Sequence, residues 1–268
     1  MGSPSGPVQA AERTKYCWDI FTAPALRKTQ LAGTPYRYWS SFAIAYFLKR
    51  RLSGRIDFLD AGGRDGGTLS LLKGLSLEGG YTLMDLEPKM ASGHDSNFEI
   101  EVIRSSFHDF KPQRQYDAIL FQSCLEYVES YSDIAWARDC LKPRGFILAT
   151  VTCKNTRPLY TGVWAQGGRH LLDERDLAPT FAEIGLRVVW VCPLGGAVSR
   201  AYQTWIYNWL NYVVLAIHQR TIGKLFPKLK NRNPMSPCYR LVNATAALLD
   251  RILPFWRIGH CIVAERAD

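Results

Sequence analysis

Several absences narrow this chain before any motif does. Its seven cysteines, at 17, 124, 140, 153, 192, 238 and 261, form no Cys-x-x-Cys or other close pair, which argues against a zinc ribbon and a disulfide framework. They read as reduced thiols, as expected of a cytoplasmic protein. Histidines are few, and the spacing of His108, His218 and His260 suggests no metal site. The opening Met1-Gly-Ser-Pro-Ser-Gly-Pro has no basic stretch followed by an apolar run, so no secretion signal is visible. Tyr202 to Ile217 is uncharged but short of the roughly 20 apolar residues a spanning helix needs, and Gln203, Asn208 and Asn211 interrupt it.

What is present is the balance of a folded globular protein. Of the 268 residues, 47% are apolar and 21% charged, enough for a sizeable core in one large domain or in one domain with an appended segment. A net charge of +9 implies an anionic partner: nucleic acid, a phosphorylated substrate or a membrane surface. Arg220, Lys224, Lys228, Lys230 and Arg232 follow one another with no acid between them.

The organising stretch is Ile56-Asp57-Phe58-Leu59-Asp60-Ala61-Gly62-Gly63-Arg64-Asp65-Gly66-Gly67-Thr68. An apolar run passes into a glycine-rich turn and then into Leu69, Leu71 and Leu72, the pattern of strand, tight loop and helix. Such a junction lets a nucleotide approach the backbone and the helix N-terminus closely. A dinucleotide fingerprint fits neither frame, because position 64 is Arg in one and position 61 is Ala in the other.

A second strand, Tyr81 to Asp85, also ends on an acid. One carboxylate can accept both hydroxyls of a ribose, and Asp85 stands where such an acid belongs; as a plain surface acid it would instead open the turn at Leu86-Glu87-Pro88. Phe98 to Ile103, Asp117 to Phe121 and Gly145 to Val151 supply three further strands. Ile134, Ala137 and Leu141 have helical spacing, with Lys142-Pro-Arg-Gly145 as the stop signal. A later helix is expected to start near Asp176, since Pro179 is tolerated in a first turn, and to end at Gly185 before a strand at Leu186 to Val191. The last strand is His260 to Ala264, some sixty-five residues on.

In this order the motifs resemble class I S-adenosylmethionine-dependent methyltransferases. Asp60, Gly62 and Gly66 match that family's acid and its first and last glycines, with Arg64 in place of the middle one. Phe121-Gln-Ser-Cys-Leu-Glu-Tyr127 resembles the later motif in which Leu-Glu-His follows the fourth strand, with Tyr127 in place of His. The resemblance covers residues 56 to 192 and the final strand. It implies an α/β, Rossmann-like, mainly parallel seven-stranded sheet with helices on both faces and a helical insertion between the last two strands. The expected parts are a tail and helical cap over 1–52, a core over 53–194 plus 258–268, and a lid or membrane-facing insertion over 195–257.

The resemblance further implies S-adenosyl-L-methionine as cofactor, held by Asp60, Gly62, Gly63, Gly66, Asp85, Ser106, Phe107, Phe121 and Gln122. If the acceptor needs a base, His170 in the loop after strand five comes first, then Glu126 and Tyr127. The loop also carries Arg157, Tyr160, Trp164 and Arg169. The apolar, aromatic character of 202–257 favours a small-molecule or lipidic acceptor. It is open either to peripheral membrane contact or to helices packing only on each other. RNA methylation, suggested by the charge, and a non-enzymatic binding role are the rivals. No separate nucleic-acid module and no stable protein partner is inferred.

Overall fold

The structure is a computed structural model that describes residues 35–153, 174–203, 236–250, 252–253 and 258–267. Expectations for His170 and its loop neighbours, for the aromatic stretch after Gln203 and for the basic run up to Arg232 lie outside the described residues.

Strand and helix sequence alternate from Pro35 onward. Helix α1 is Pro35–Arg51, β1 Arg55–Ala61, α2 Gly67–Gly74, β2 Glu78–Asp85, β3 Gly93–His94, β4 Phe98–Arg104 and β5 Tyr116–Gln122. After two 3-10 turns come α3 Trp136–Asp139, β6 Leu141–Thr152, α4 Glu174–Glu183, β7 Leu186–Leu194, α5 Ala197–Ala201, α6 Ser236–Leu249 and β8 Gly259–Arg266. They form one sheet in the order β3-β4-β2-β1-β5-β6-β8-β7. Strands β4, β2, β1, β5 and β6 are parallel, and β8 runs antiparallel between β6 and β7. The eighth strand, beyond the seven expected, is the two-residue β3, which pairs antiparallel with the edge of β4.

Both faces of the sheet are covered. On one, Trp39, Phe42 and Leu48 of α1 and Leu69 and Leu72 of α2 pack over Phe58, Tyr81 and Leu148. On the other, Leu177 and Phe181 of α4 and Ile134 pack over Ile119, Phe121 and Ile262. Each such side chain stabilises the fold by about 1.5–3 kcal/mol. The described part of the insertion is not a subdomain packing only on itself. Ala247 of α6 shares the cluster of α1, and the Trp39 indole N–H donates to Ser199 Oγ at 3.0 Å. Asp250 is buried and accepts the N–H groups of Val198 and Ser199 at the start of α5.

Two local expectations are corrected. The segment Ile134–Leu141 is not one helix: a 3-10 turn over Tyr131–Ile134 and a single α-turn precede β6, which already pairs at Leu141 with Tyr116. The stop signal acts inside the strand instead. The register shifts between Tyr116 and Ala118, Arg144 takes φ 70°, and a Cβ on Gly145 would lie 2.9 Å from the Tyr116 carbonyl oxygen. Likewise, α4 begins by Glu174, so Pro179 is its sixth residue rather than part of a first turn. Burial of Leu177 and Phe181 on either side outweighs the backbone hydrogen bond the ring removes. Gly185, with φ 74°, ends the helix as expected.

Candidate active site

The chain leaves β1 toward β2 and β4 on one side, and later returns to place β5 and β6 on the other. The carboxyl ends of β1 and β5 therefore flank a switch point, the place where open α/β sheets bind ligands. Its wall is the turn after β1. Gly62 takes φ 78° and its N–H donates to the Met84 carbonyl at 2.7 Å. Gly66, with φ 67°, caps α2, and its N–H closes the turn onto the Gly63 carbonyl.

What demands glycine here is the protein itself. A Cβ on Gly62 would lie 2.9 Å from Cys124 Cβ, one on Gly63 2.4 Å from the Asp60 carboxyl carbon, and one on Gly66 2.4 Å from Met90 Sδ. The turn is packed from behind by the groups that shape it.

Arg64 adopts the left-handed backbone, φ 42°, that a glycine takes without strain. Two bonds hold it there: its N–H donates to Asp85 Oδ2 at 3.1 Å, and its carbonyl accepts the Lys89 N–H at 2.7 Å. The other oxygen of Asp85 accepts the Glu87 N–H at 2.8 Å. Asp85 thus opens the Leu86-Glu87 turn and also clamps the glycine loop to β2. Each carboxylate oxygen keeps a second lone pair, so these bonds leave it able to accept from a ligand hydroxyl.

Asp60 is buried beneath the turn. The Tyr81 hydroxyl donates to its Oδ2 at 2.6 Å, whereas Oδ1 is buried without a well-aligned partner, the Thr68 hydroxyl giving only a weaker favourable interaction. Burial pushes the Asp60 carboxyl up to about 6, against the hydrogen bond from Tyr81. A buried carboxylate short of donors suits a cationic or N–H-bearing ligand group.

The residues after β4 and β5 complete the rim. Ser106 Oγ donates to Asp109 Oδ2 at 2.6 Å and accepts the Asp109 N–H, so it caps its own turn. The half-buried Phe107 ring stands beside the turn, with Cζ 3.4 Å from the Cβ position of Gly62. Phe121 differs from expectation: its ring is wholly buried in the core beside Phe107 and Trp136, so only its main chain is placed to meet a ligand. Gln122 is half-buried at the end of β5. The next residue, Ser123, takes φ 56° and donates its N–H to the Thr150 carbonyl. Two non-glycine residues in left-handed geometry, Arg64 and Ser123, therefore follow the two strands that flank the switch point.

Glu126 lies in the 3-10 turn Leu125–Tyr127 and is buried. Its Oε1 accepts both the N–H and the hydroxyl of Thr152, each at 2.8 Å, while Oε2 is buried without a hydrogen-bond partner. Burial raises its carboxyl, which makes it a stronger base than an exposed acid. Tyr127, 44% exposed, is a poor proton acceptor, because burial and the nearby Glu126 and Cys124 raise its hydroxyl further. As a base it is disfavoured; as a hydrogen-bond donor it is suited. Sequence reasoning missed Tyr81, Cys124 and Thr152. The only signal for Tyr81 was that a tyrosine in a buried strand needs a partner for its hydroxyl. Cys124 donates its thiol to the Ala61 carbonyl at 3.2 Å and is held protonated by burial.

Comparison with known proteins agrees with this geometry. Residues 36–191 match the family described as a methyltransferase domain. No curated protein matches the chain. Among solved structures, the cyclopropane synthase MmaA2 from Mycobacterium tuberculosis is similar at 15% identity and TM-score 0.53, over 83% of each chain. A putative sarcosine dimethylglycine methyltransferase from Galdieria sulphuraria is similar at 12% identity and TM-score 0.55, over 95% of this chain and 98% of that one. A methyltransferase from Geobacter sulfurreducens, solved with S-adenosyl-L-homocysteine, is similar at 13% identity and TM-score 0.52, over 92% and 97%. These structural likenesses show the fold; the family match, over more than half the chain, shows the membership. The chain belongs to the methyltransferase-domain family and is a class I S-adenosylmethionine-dependent methyltransferase.

Proposed function

We propose that this enzyme methylates a small-molecule or lipidic acceptor bound over the carboxyl ends of β5 and β6. The observation that carries the cofactor half of this reading is the clamp of Asp85 on the Arg64 backbone, which unites the two acid-bearing strand ends in one rim. In this reading Gly62, Gly63 and Gly66 shape the wall, Asp60 faces the charged end of the cofactor, and Asp85 takes the ribose hydroxyls. Ser106, Phe107, Gln122 and the main chain of Phe121 line the adenine side. The cofactor supplies an electrophilic methyl group on a sulfonium.

What remains for the chain is to align the acceptor, exclude water and, for a hydroxyl acceptor, take a proton. Glu126 is the described group best suited to the last task, and Tyr127 donates a hydrogen bond to the acceptor; His170 remains a proposal from the sequence. The core is assigned to 53–194 plus 258–268, with 195–257 as its cover. The lipidic acceptor is supported by the apolar and aromatic composition of that cover. It is also supported by the similarity to a cyclopropane synthase structure.

Calorimetric titration with S-adenosylmethionine and S-adenosylhomocysteine tests the cofactor half. Micromolar binding that weakens in Asp85→Ala is the expected result. Absence of binding to folded protein would overturn the site assignment. Screening fatty and amine acceptors with radiolabelled donor then tests the acceptor class.

A further inference from the structure

Helix α6 presents two faces of opposite fate. Asn243, Ala246, Ala247 and Asp250 are buried against the protein, and the bonds from Asp250 to α5 fix the helix's orientation. The other face turns Leu241 (71% exposed), Leu248 (50%) and Ile252 (76%) to solvent, with Val242, Leu249 and Leu253 beside them. Positions 241, 245, 248 and 252 follow helical spacing, so the exposed side chains form one stripe along the helix and its end. Thr245, the polar member, donates its hydroxyl to the Leu241 carbonyl at 3.0 Å. Single exposed leucines are ordinary, but a contiguous stripe marks a contact surface.

Charge identifies the partner. Residues 184–249 contain eight Lys or Arg and no Asp or Glu. Leu241 and Leu248 lie within that stretch and Ile252 just beyond it, and the one acid between them, Asp250, is buried; an apolar stripe in such company matches a surface that is anionic at its rim and apolar in depth, which is an anionic bilayer. A second copy of this chain would instead oppose like charges. Among the described residues no helix is long and apolar enough to cross a membrane.

We propose that α6 is a peripheral docking element that inserts Leu241, Leu248 and Ile252 into the interface of an anionic bilayer. The proposal deepens the lipidic-acceptor reading and rests on it for purpose, not for its test. The test is flotation of the full chain with phosphatidylcholine vesicles and with vesicles that also contain phosphatidylserine. It is run beside the triple variant Leu241→Gln, Leu248→Gln, Ile252→Gln.

The wild type is expected to float only with the anionic vesicles, and less as salt is added. The variant is expected to bind about tenfold more weakly or worse. Its circular dichroism and S-adenosylhomocysteine titration should match the wild type, because the replaced side chains are exposed and none belongs to the glycine turn or its rim. No flotation at low salt, or equal flotation by the variant, would overturn the proposal. So would a dimer in solution that the variant abolishes, which would give the stripe to a second copy. Failure of the wild type to bind S-adenosylhomocysteine would sink the cofactor assignment alone and leave the docking result standing.

Discussion

Replacing Asp60 by Asn should make the ligand-free protein more stable, by an amount that depends on pH. Burial raises this carboxyl from 3.8 to about 6, so keeping it ionised above that pH costs about 3 kcal/mol. The folded-state value lies above the unfolded one. The favourable contribution is therefore complete below 3.8 and is lost as the pH rises through about 6. Asn keeps an oxygen to accept the Tyr81 hydroxyl, but its buried amide costs about 1 kcal/mol for want of a partner. The net gain is then about 2 kcal/mol near neutral pH, or roughly 4–8 °C in Tm, falling to nothing or a small loss below about pH 4. Urea denaturation followed by circular dichroism at both pH values reads the difference directly. A variant less stable than wild type near neutrality, or a difference that ignores pH, would refute the reasoning. If Asp60 faces the charged end of the cofactor, the same variant should bind S-adenosylhomocysteine more weakly, so stability and affinity move in opposite directions.

Other substitutions probe the rim. Asp85→Ala removes the acceptor for the Arg64 and Glu87 N–H groups; it should cost about 1–2 kcal/mol of stability and weaken S-adenosylhomocysteine at least about tenfold by calorimetry. Gly62→Ala, at φ 78° and 2.9 Å from Cys124 Cβ, should lose about 2–4 kcal/mol in urea unfolding, and wild-type stability would show that the turn is not so tightly packed. Arg64→Gly relieves left-handed strain but adds unfolded-state freedom, so stability should change by less than about 1 kcal/mol and cofactor affinity hardly at all, because Arg64 acts through its main chain. Thr152→Val deprives the Glu126 carboxylate of a hydroxyl donor and should cost about 1–2 kcal/mol. The loss should be larger near neutral pH than in acid, since protonation of Glu126, already favoured by burial, removes the charge that needs the donor.

Local pattern carried much of this protein. The strand-to-turn passage at Asp60–Gly66, the acid closing Tyr81–Asp85, the later strands and the late return of His260–Ala264 are all visible as runs of apolar residues punctuated by glycine, proline and acids. Alternation and turn chemistry act over a few residues, so the sequence displays them. That β8 pairs between β6 and β7 is decided only by the registers Val151–His260 and Val191–Ile262.

Contacts between distant residues were not legible, because they depend on which strands become neighbours. Tyr81 meets Asp60 across a parallel pair, Thr152 at the end of β6 meets Glu126 in the 3-10 turn after β5, and Cys124 blocks a Cβ on Gly62 only because β1 and β5 adjoin. The same dependence explains why Arg64 can stand where glycine is usual. Its strained backbone is held by Asp85, a group whose position is decided by the β1–β2 pairing. The sequence by itself determined the order of elements and the acids at their ends. Tertiary structure alone decided which carboxyls are buried and which oxygens lack donors, since desolvation and hydrogen bonding are set by neighbours far away in the chain.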